Sequence, residues 1–190
     1  MKIKTLWNSF ASLSDQKLTL WSISALILFY AACLIGSIKM DGILHLTYAN
    51  SWKEVFINNS LVIATTIVIF YTLGKLFNSK TRWIDIFQTI AISLIPTILM
   101  VLITSIPAID EAIKTIADTA QNPAEIMKNT TDLLLVTIFS LAMLPLLVWN
   151  IALLFNGFRT ATNTKKWFHI VLFFVILFIM NSLTQTFILS

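Results

Sequence analysis

Five apolar runs, each close to the length that crosses a lipid bilayer, fill most of this 190-residue chain. A bilayer core about 30 Å thick needs roughly 20 residues at 1.5 Å rise each. The runs are Leu20–Ile38, Ile57–Phe77, Ile86–Ile106, Leu133–Phe155 and Trp167–Leu189. None holds an ionisable residue in its central part, and Lys75, at one end of the second, can snorkel to the interface. Membrane strands would be about 10 residues long with alternating polarity, whereas these runs are twice that and apolar all round. With 57% hydrophobic residues and a mean hydropathy of +0.85, the polar surface is too small to cover five core helices in water. The predicted fold is all-α: one polytopic membrane domain over 1–190 with five transmembrane helices.

Charge in the connections predicts orientation. Nine of the 13 Lys and Arg fall on one side: Lys2, Lys4, Lys17, Lys75, Lys80, Arg82, Arg159, Lys165 and Lys166. The other four, Lys39, Lys53, Lys114 and Lys128, fall opposite. The excess marks the cytoplasmic face, which places the N-terminus inside and Ser190 outside. The acids are arranged the other way: Asp15 and Asp85 lie inside, and Asp41, Glu54, Asp110, Glu111, Asp118, Glu125 and Asp132 outside. The net +4 is therefore a topological signal, not a nucleic-acid signal. The basic face, Lys80, Arg82, Arg159, Lys165 and Lys166 above all, suits anionic headgroups. Trp21, Trp52, Trp83 and Trp167 stand near predicted span ends as interfacial anchors. Tyr30-Ala31-Ala32-Cys33 resembles a lipidation box, but Tyr30 replaces its aliphatic residue and four more spans follow, so Cys33 reads as a buried cysteine. Asn58-Asn59-Ser60 and Asn129-Thr130-Thr131 match the glycosylation pattern by chance.

The connection from Pro107 to Asp132 is the only sizeable polar segment. Ile109, Ile113, Ile116 and Ala120 recur at helical spacing, with Asp110, Glu111, Lys114 and Asp118 elsewhere on the wheel. This predicts an extramembrane amphipathic helix between the third and fourth spans, either a connector over the bundle or a surface lid. Asn122-Pro123 then reads as a break and a new helix start. Pro96 and Pro145 fall near the centres of the third and fourth spans, where each removes a backbone donor and bends its helix. They serve packing or mark a central site. Gln88, Asn150, Asn156 and Asn181 are the amides in or near spans. They glue helices together or meet a substrate. Asn150 and Gly157 are seven apart and share a face, and Gly157 admits a close neighbour.

Catalytic apparatus is nearly absent. His45 and His169 fall at opposite membrane faces and cannot share a metal. There is no His-Glu-x-x-His, no cysteine pair and no Gly-x-Ser-x-Gly, and four scattered glycines build no phosphate loop. No enzyme activity and no cofactor are expected.

From the second span onward the chain resembles the Yip family, the multi-pass Rab/Ypt-interacting proteins, and in particular its short prokaryotic members. The resemblance lies in Leu73-Gly74-Lys75-Leu76-Phe77-Asn78 with the short basic turn after it, Phe87, Ser93-Leu94-Ile95-Pro96, Trp149-Asn150 and Asn156-Gly157-Phe158-Arg159. It implies five spans with a cytoplasmic N-terminus. Phe10-Ala11-Ser12-Leu13 does not match the aromatic, glycine-containing motif of the eukaryotic N-terminal region, so the resemblance implies the membrane fold and not small-GTPase binding. Two functions are open. One is a membrane organiser or adaptor of the bacterial inner membrane whose partners are lipids, other membrane proteins or itself. The alternative is a small transporter or permease component for a neutral or lipidic substrate, which a polar cavity between the third and fourth spans would favour; an apolar-lined bundle favours the organiser, or a lipidic substrate for the transporter.

Overall fold

A computed structural model of the chain describes residues 10, 14–119 and 127–188. The elements run α1 (Asp15–Gly36), β1 (Ile38–Gly42), β2 (His45–Tyr48), α2 (Trp52–Phe77), α3 (Trp83–Thr104), α4 (Pro107–Asp118), α5 (Thr130–Thr162) and α6 (Trp167–Ile188). All helices except α4 are long and apolar enough to cross a membrane, making five spans. They alternate in direction. The start of α1, the α2–α3 turn and the α5–α6 turn meet at one end, where Arg82 reaches Asp15 and Asn78 reaches Thr162. This basic end carries Lys80, Arg82, Arg159, Lys165 and Lys166. The opposite end carries a β-hairpin.

α3 is the axis. Its residues Gln88 through Leu94, with Ile86, Pro96, Thr97 and Val101, are buried between α1 on one side and α5 on the other. The partners meet it with narrower stripes: Leu18, Ser22, Ala25, Phe29 and Ala32 on α1 recur every three or four residues. Phe70 of α2, Phe158 of α5 and Phe173 of α6 form a knot with ring centroids 4.9–5.5 Å apart. Outward faces remain apolar: Ile23 and Ile27 on α1, Ile138 and Leu141 on α5, and Phe178 and Ile179 on α6 are all exposed. In water such faces would aggregate, and in lipid they are required. Trp52, Trp83 and Trp167 are the first residues of α2, α3 and α6, and all three are exposed.

Between the first two spans, read from sequence only as a loop holding His45, the chain forms an antiparallel hairpin. Ile38 pairs with Tyr48, Met40 with Leu46 and Gly42 with His45, and Asp41 is the extra residue of a bulge. The two turn residues, Ile43 and Leu44, are apolar, and Ile43 is buried. The tip is therefore turned into the bundle, where the hairpin's buried backbone donors need acceptors. Asn59 of α2 supplies one, accepting from Met40 N at 2.6 Å. Asn181 of α6 supplies the other, accepting from Leu44 N at 2.9 Å. Lys39 pairs with Glu54 at 2.8 Å, and Ser51 caps α2 by accepting from Glu54 N at 3.3 Å.

Pro107 opens α4, where its missing N–H costs nothing. α4 packs on α5, with Ala112 buried, and meets the hairpin at Tyr48, over whose ring Lys114 Nζ lies at 5.2 Å. The expected break at Asn122-Pro123 lies outside the described residues. α5 continues past the expected span end at Phe155, so Arg159, read as a loop residue, lies in its last turn. A left-handed Asn163 (φ 49°) ends the helix, its N–H donating to Arg159 O and Thr160 O.

Candidate functional site

Two adjoining cavities lie where the hairpin separates α3 from the first half of α5. One, of about 190 Å³, is lined by Ile43, Leu44, Leu46, Met100, Leu147 and Asn150 among others. The second, of about 250 Å³, is lined by Tyr48, Thr104, Ile113 and Phe139. Leu46, Met100 and Met143 border both. The wall is mostly apolar; its polar residues are His45, Thr97 and Asn150 in the smaller cavity and Thr47, Tyr48 and Thr104 in the larger.

Asn150 is the inner end. Its side-chain Nδ2 donates to Ser93 O at 2.8 Å and to Thr97 Oγ1 at 2.9 Å. Those bonds use both amide hydrogens and fix the orientation of the group. They also supply a donor beside a weak point of α3: Pro96 lacks the N–H that would bind Ile92 O, and its ring crowds the carbonyls one turn back. Asn150 Oδ1 has no partner among the described residues, although the residue is only 1% exposed. A buried acceptor left unpaired costs about 1–3 kcal/mol.

The other residues singled out from sequence fall in three places. Gln88 is buried on α3 and donates to Thr19 Oγ1 at 2.9 Å, tying α3 to α1. Gly157 faces the same helix as Asn150: a Cβ there would stand 2.6 Å from Thr89 Oγ1. Asn156, one residue earlier, is half-buried, and its backbone carbonyl accepts from Thr160 Oγ1 at 2.8 Å. Asn181 belongs to the hairpin contact, away from these. Pro96 is buried and Pro145 is exposed. Asn150 is level with the Pro96 turn, and Pro145 precedes it by five residues, about 7.5 Å along α5. The two prolines are thus offset and do not line one site. Both helices run through them unbroken.

At the basic end, Arg82 is engaged by Asp85 at 2.7 Å and Asp15 at 3.2 Å. These carboxylates hold its guanidinium well above its usual pKa. Lys80, Arg159, Lys165 and Lys166 are exposed. His169 stacks on Phe77 with centroids 4.0 Å apart, and His45 Nδ1 lies 2.7 Å from Asp41 Oδ1. Among the described residues no group of three His, Cys, Asp or Glu could hold a metal.

The helix-to-helix contacts come from a few short segments. Gly74 O accepts from Asn78 N at 2.8 Å and from Thr81 Oγ1 at 3.1 Å. Asn78 Nδ2 donates to Thr162 O at 3.2 Å. Ser93 meets Asn150, and Gly157 meets Thr89. A family model of the Yip1 domain matches residues 10–183, a stretch that includes every one of these contacts. The chain belongs to the Yip1 domain family. No curated protein matches it, and no solved structure does. In this Yip1 domain the segments that carried the family resemblance are the points where α2, α3 and α5 touch, which accounts for their small and amide side chains.

Sequence reasoning missed the hairpin and its two buried groups, Asn59 and Asp41. Asp41 is fully buried, with Oδ2 unpartnered among the described residues. A signal for Asn59 was present: it continues the buried series Val55, Asn59, Val62, Thr66 at helical spacing. For the hairpin, Asp41-Gly42 is a turn-type dipeptide. The turn itself falls on Ile43-Leu44, which carries no such mark.

Proposed function

We propose that this Yip1-domain protein is an organiser or adaptor of the bacterial inner membrane, acting through lipids and through other membrane proteins or further copies of itself. It does so without covalent chemistry, cofactor or nucleic acid, and small-GTPase binding is no part of the proposal. The observation supporting this reading is the uneven burial of the spans. α3 is enclosed, whereas α5 and α6 leave Ile138, Leu141, Val148, Val175, Phe178 and Ile179 exposed, a broad apolar surface for lipid or a partner helix.

The N-terminus is cytoplasmic and the C-terminus outside in this reading, with α4 in the outer interface. The gathering of Lys80, Arg82, Arg159, Lys165 and Lys166 at one end supports it. In a Cys33→Ser background, Lys165→Cys and Asp118→Cys are expected to react from opposite sides of intact cells. Reaction of both from one side overturns the orientation.

The mostly apolar cavity ending at Asn150 fits a second reading, transport, for a lipidic substrate. Reconstituted vesicles separate the two. The organiser reading expects energy transfer between labelled copies above that of random mixing, weakened by Ile138→Ala and Leu141→Ala, with no protein-dependent flux. Movement of a fluorescent lipid or neutral solute faster than in empty vesicles would decide for transport.

A further inference from the structure

We propose that the cavity between the hairpin, α3 and α5 binds a neutral single-chain amphiphile whose hydroxyl donates to Asn150 Oδ1. The proposal rests on the lipid-contact part of the function above.

The amide is a built acceptor. Ser93 O and Thr97 Oγ1 hold both Nδ2 hydrogens, so Oδ1 cannot rotate away to another donor. It is buried and unpartnered at the inner end of the smaller lobe. A hydroxyl in a membrane interior has few acceptors to choose from, so a fixed one discriminates strongly between a chain that carries a donor and a chain that does not.

The wall selects the rest of the ligand. Ile43, Leu44, Met100, Met143 and Leu147 offer no charge to a carboxylate or ammonium, which would enter at a high desolvation cost. The two methionines border both lobes, and their flexible thioethers can reshape the passage between them for a chain. Leu144 also lines the smaller lobe and is 53% exposed on the apolar surface of α5, so the lobe opens sideways toward lipid. A water at the inner end would meet Asn150 and Thr97 but leave the apolar wall uncovered. A hydroxyl on a chain meets the same acceptor and buries its chain against that wall.

The test uses the full chain in phosphatidylethanolamine and phosphatidylglycerol vesicles, irradiated with a diazirine-bearing long-chain alcohol. The matched alkane and the matched fatty acid serve as parallel probes. Expected is labelling by the alcohol in peptides holding Met100, Met143 or Leu44–Leu46, displaced by unlabelled alcohol. Asn150→Leu should lower that labelling about fivefold, the factor one lost hydrogen bond carries, and leave the alkane unchanged. Met143→Trp fills the cavity without touching the amide and should abolish labelling by both, which decides the matter even if Asn150→Leu does not fold. Equal labelling by alcohol and alkane means a water at Asn150 or nothing, and overturns the proposal. Preference for the fatty acid, or labelling confined to the exposed faces of α5 and α6, overturns it as well. Loss of the site in a protein whose copies still associate leaves the organiser function standing. Site labelling together with flux that Met143→Trp blocks retains the site and removes the organiser function.

Discussion

The two ends of this bundle solve the same packing problem in opposite ways. At the basic end, Gly74, Thr81, Gly157, Thr89 and Thr162 are small enough for helices to approach directly, and side-chain bonds to backbone carbonyls close the contact. At the hairpin end a β-hairpin is inserted among the helices. α5 shows this within one element: its second half buries Asn150, Leu153, Leu154, Gly157 and Phe158, while no residue from Thr130 to Trp149 is buried. Close packing leaves a cavity of about 150 Å³ beside Arg82 and Gly157, smaller than the two of about 190 and 250 Å³ at the hairpin. Propping by the hairpin creates the cavity that Asn150 floors, at the boundary between the two regimes.

The sharpest way to break this contrast is to add bulk at the tight end. Gly157→Leu drives a side chain into Thr89 and should cost about 3 kcal/mol. Ala142→Leu, on the exposed half of the same helix, should stay within about 0.5 kcal/mol. Thermal unfolding in detergent compares the two, and equal losses would erase the distinction. Next in size is the hairpin anchor. Asn181→Leu leaves Leu44 N without its acceptor and should cost about 2 kcal/mol. Hydrogen exchange should quicken across 38–48 and stay slow in α3. Uniform acceleration of both would mean that the hairpin is not a separate prop.

Smaller effects sharpen the picture. Arg82→Ala breaks exposed ion pairs to Asp15 and Asp85 and should cost about 0.5 kcal/mol, less in high salt. A loss several times larger would make the basic end depend on charge instead of close packing. The smallest effect is a pH response of α4. The Lys114 ammonium, then the Tyr48 hydroxyl, hold the Asp110 carboxyl below its usual range, while burial and then Asp110 push Tyr48 upward. A depressed carboxyl stabilises fully above its unfolded pKa of about 4 and loses that contribution as pH falls through the folded value. Acidification below about pH 4 should therefore speed exchange in α4 before α3, and Asp110→Asn should abolish the pH dependence.

The spans, their number and the amphipathic helix α4 were legible because each depends on local composition and periodicity, which a chain carries whatever its neighbours. The likeness of Asn150 and Gly157 in facing was legible for the same reason: seven residues make two helical turns. What they face was not. That Asn150 bonds Ser93 beside Pro96 and that Asn59 and Asn181 hold the hairpin are contacts between segments 19 to 137 residues apart. The hairpin shows the limit most clearly. Ile43-Leu44 is a poor turn by local chemistry, and it is held where Asn181 of α6 accepts from Leu44 N, with Asn59 of α2 accepting from Met40 N in the strand before it. Sequence by itself determined which segments belong in the membrane, since transfer of apolar residues into lipid is a sum over each segment. Only the tertiary structure decided where the helices touch and where they part, since that depends on which side chains from different segments meet.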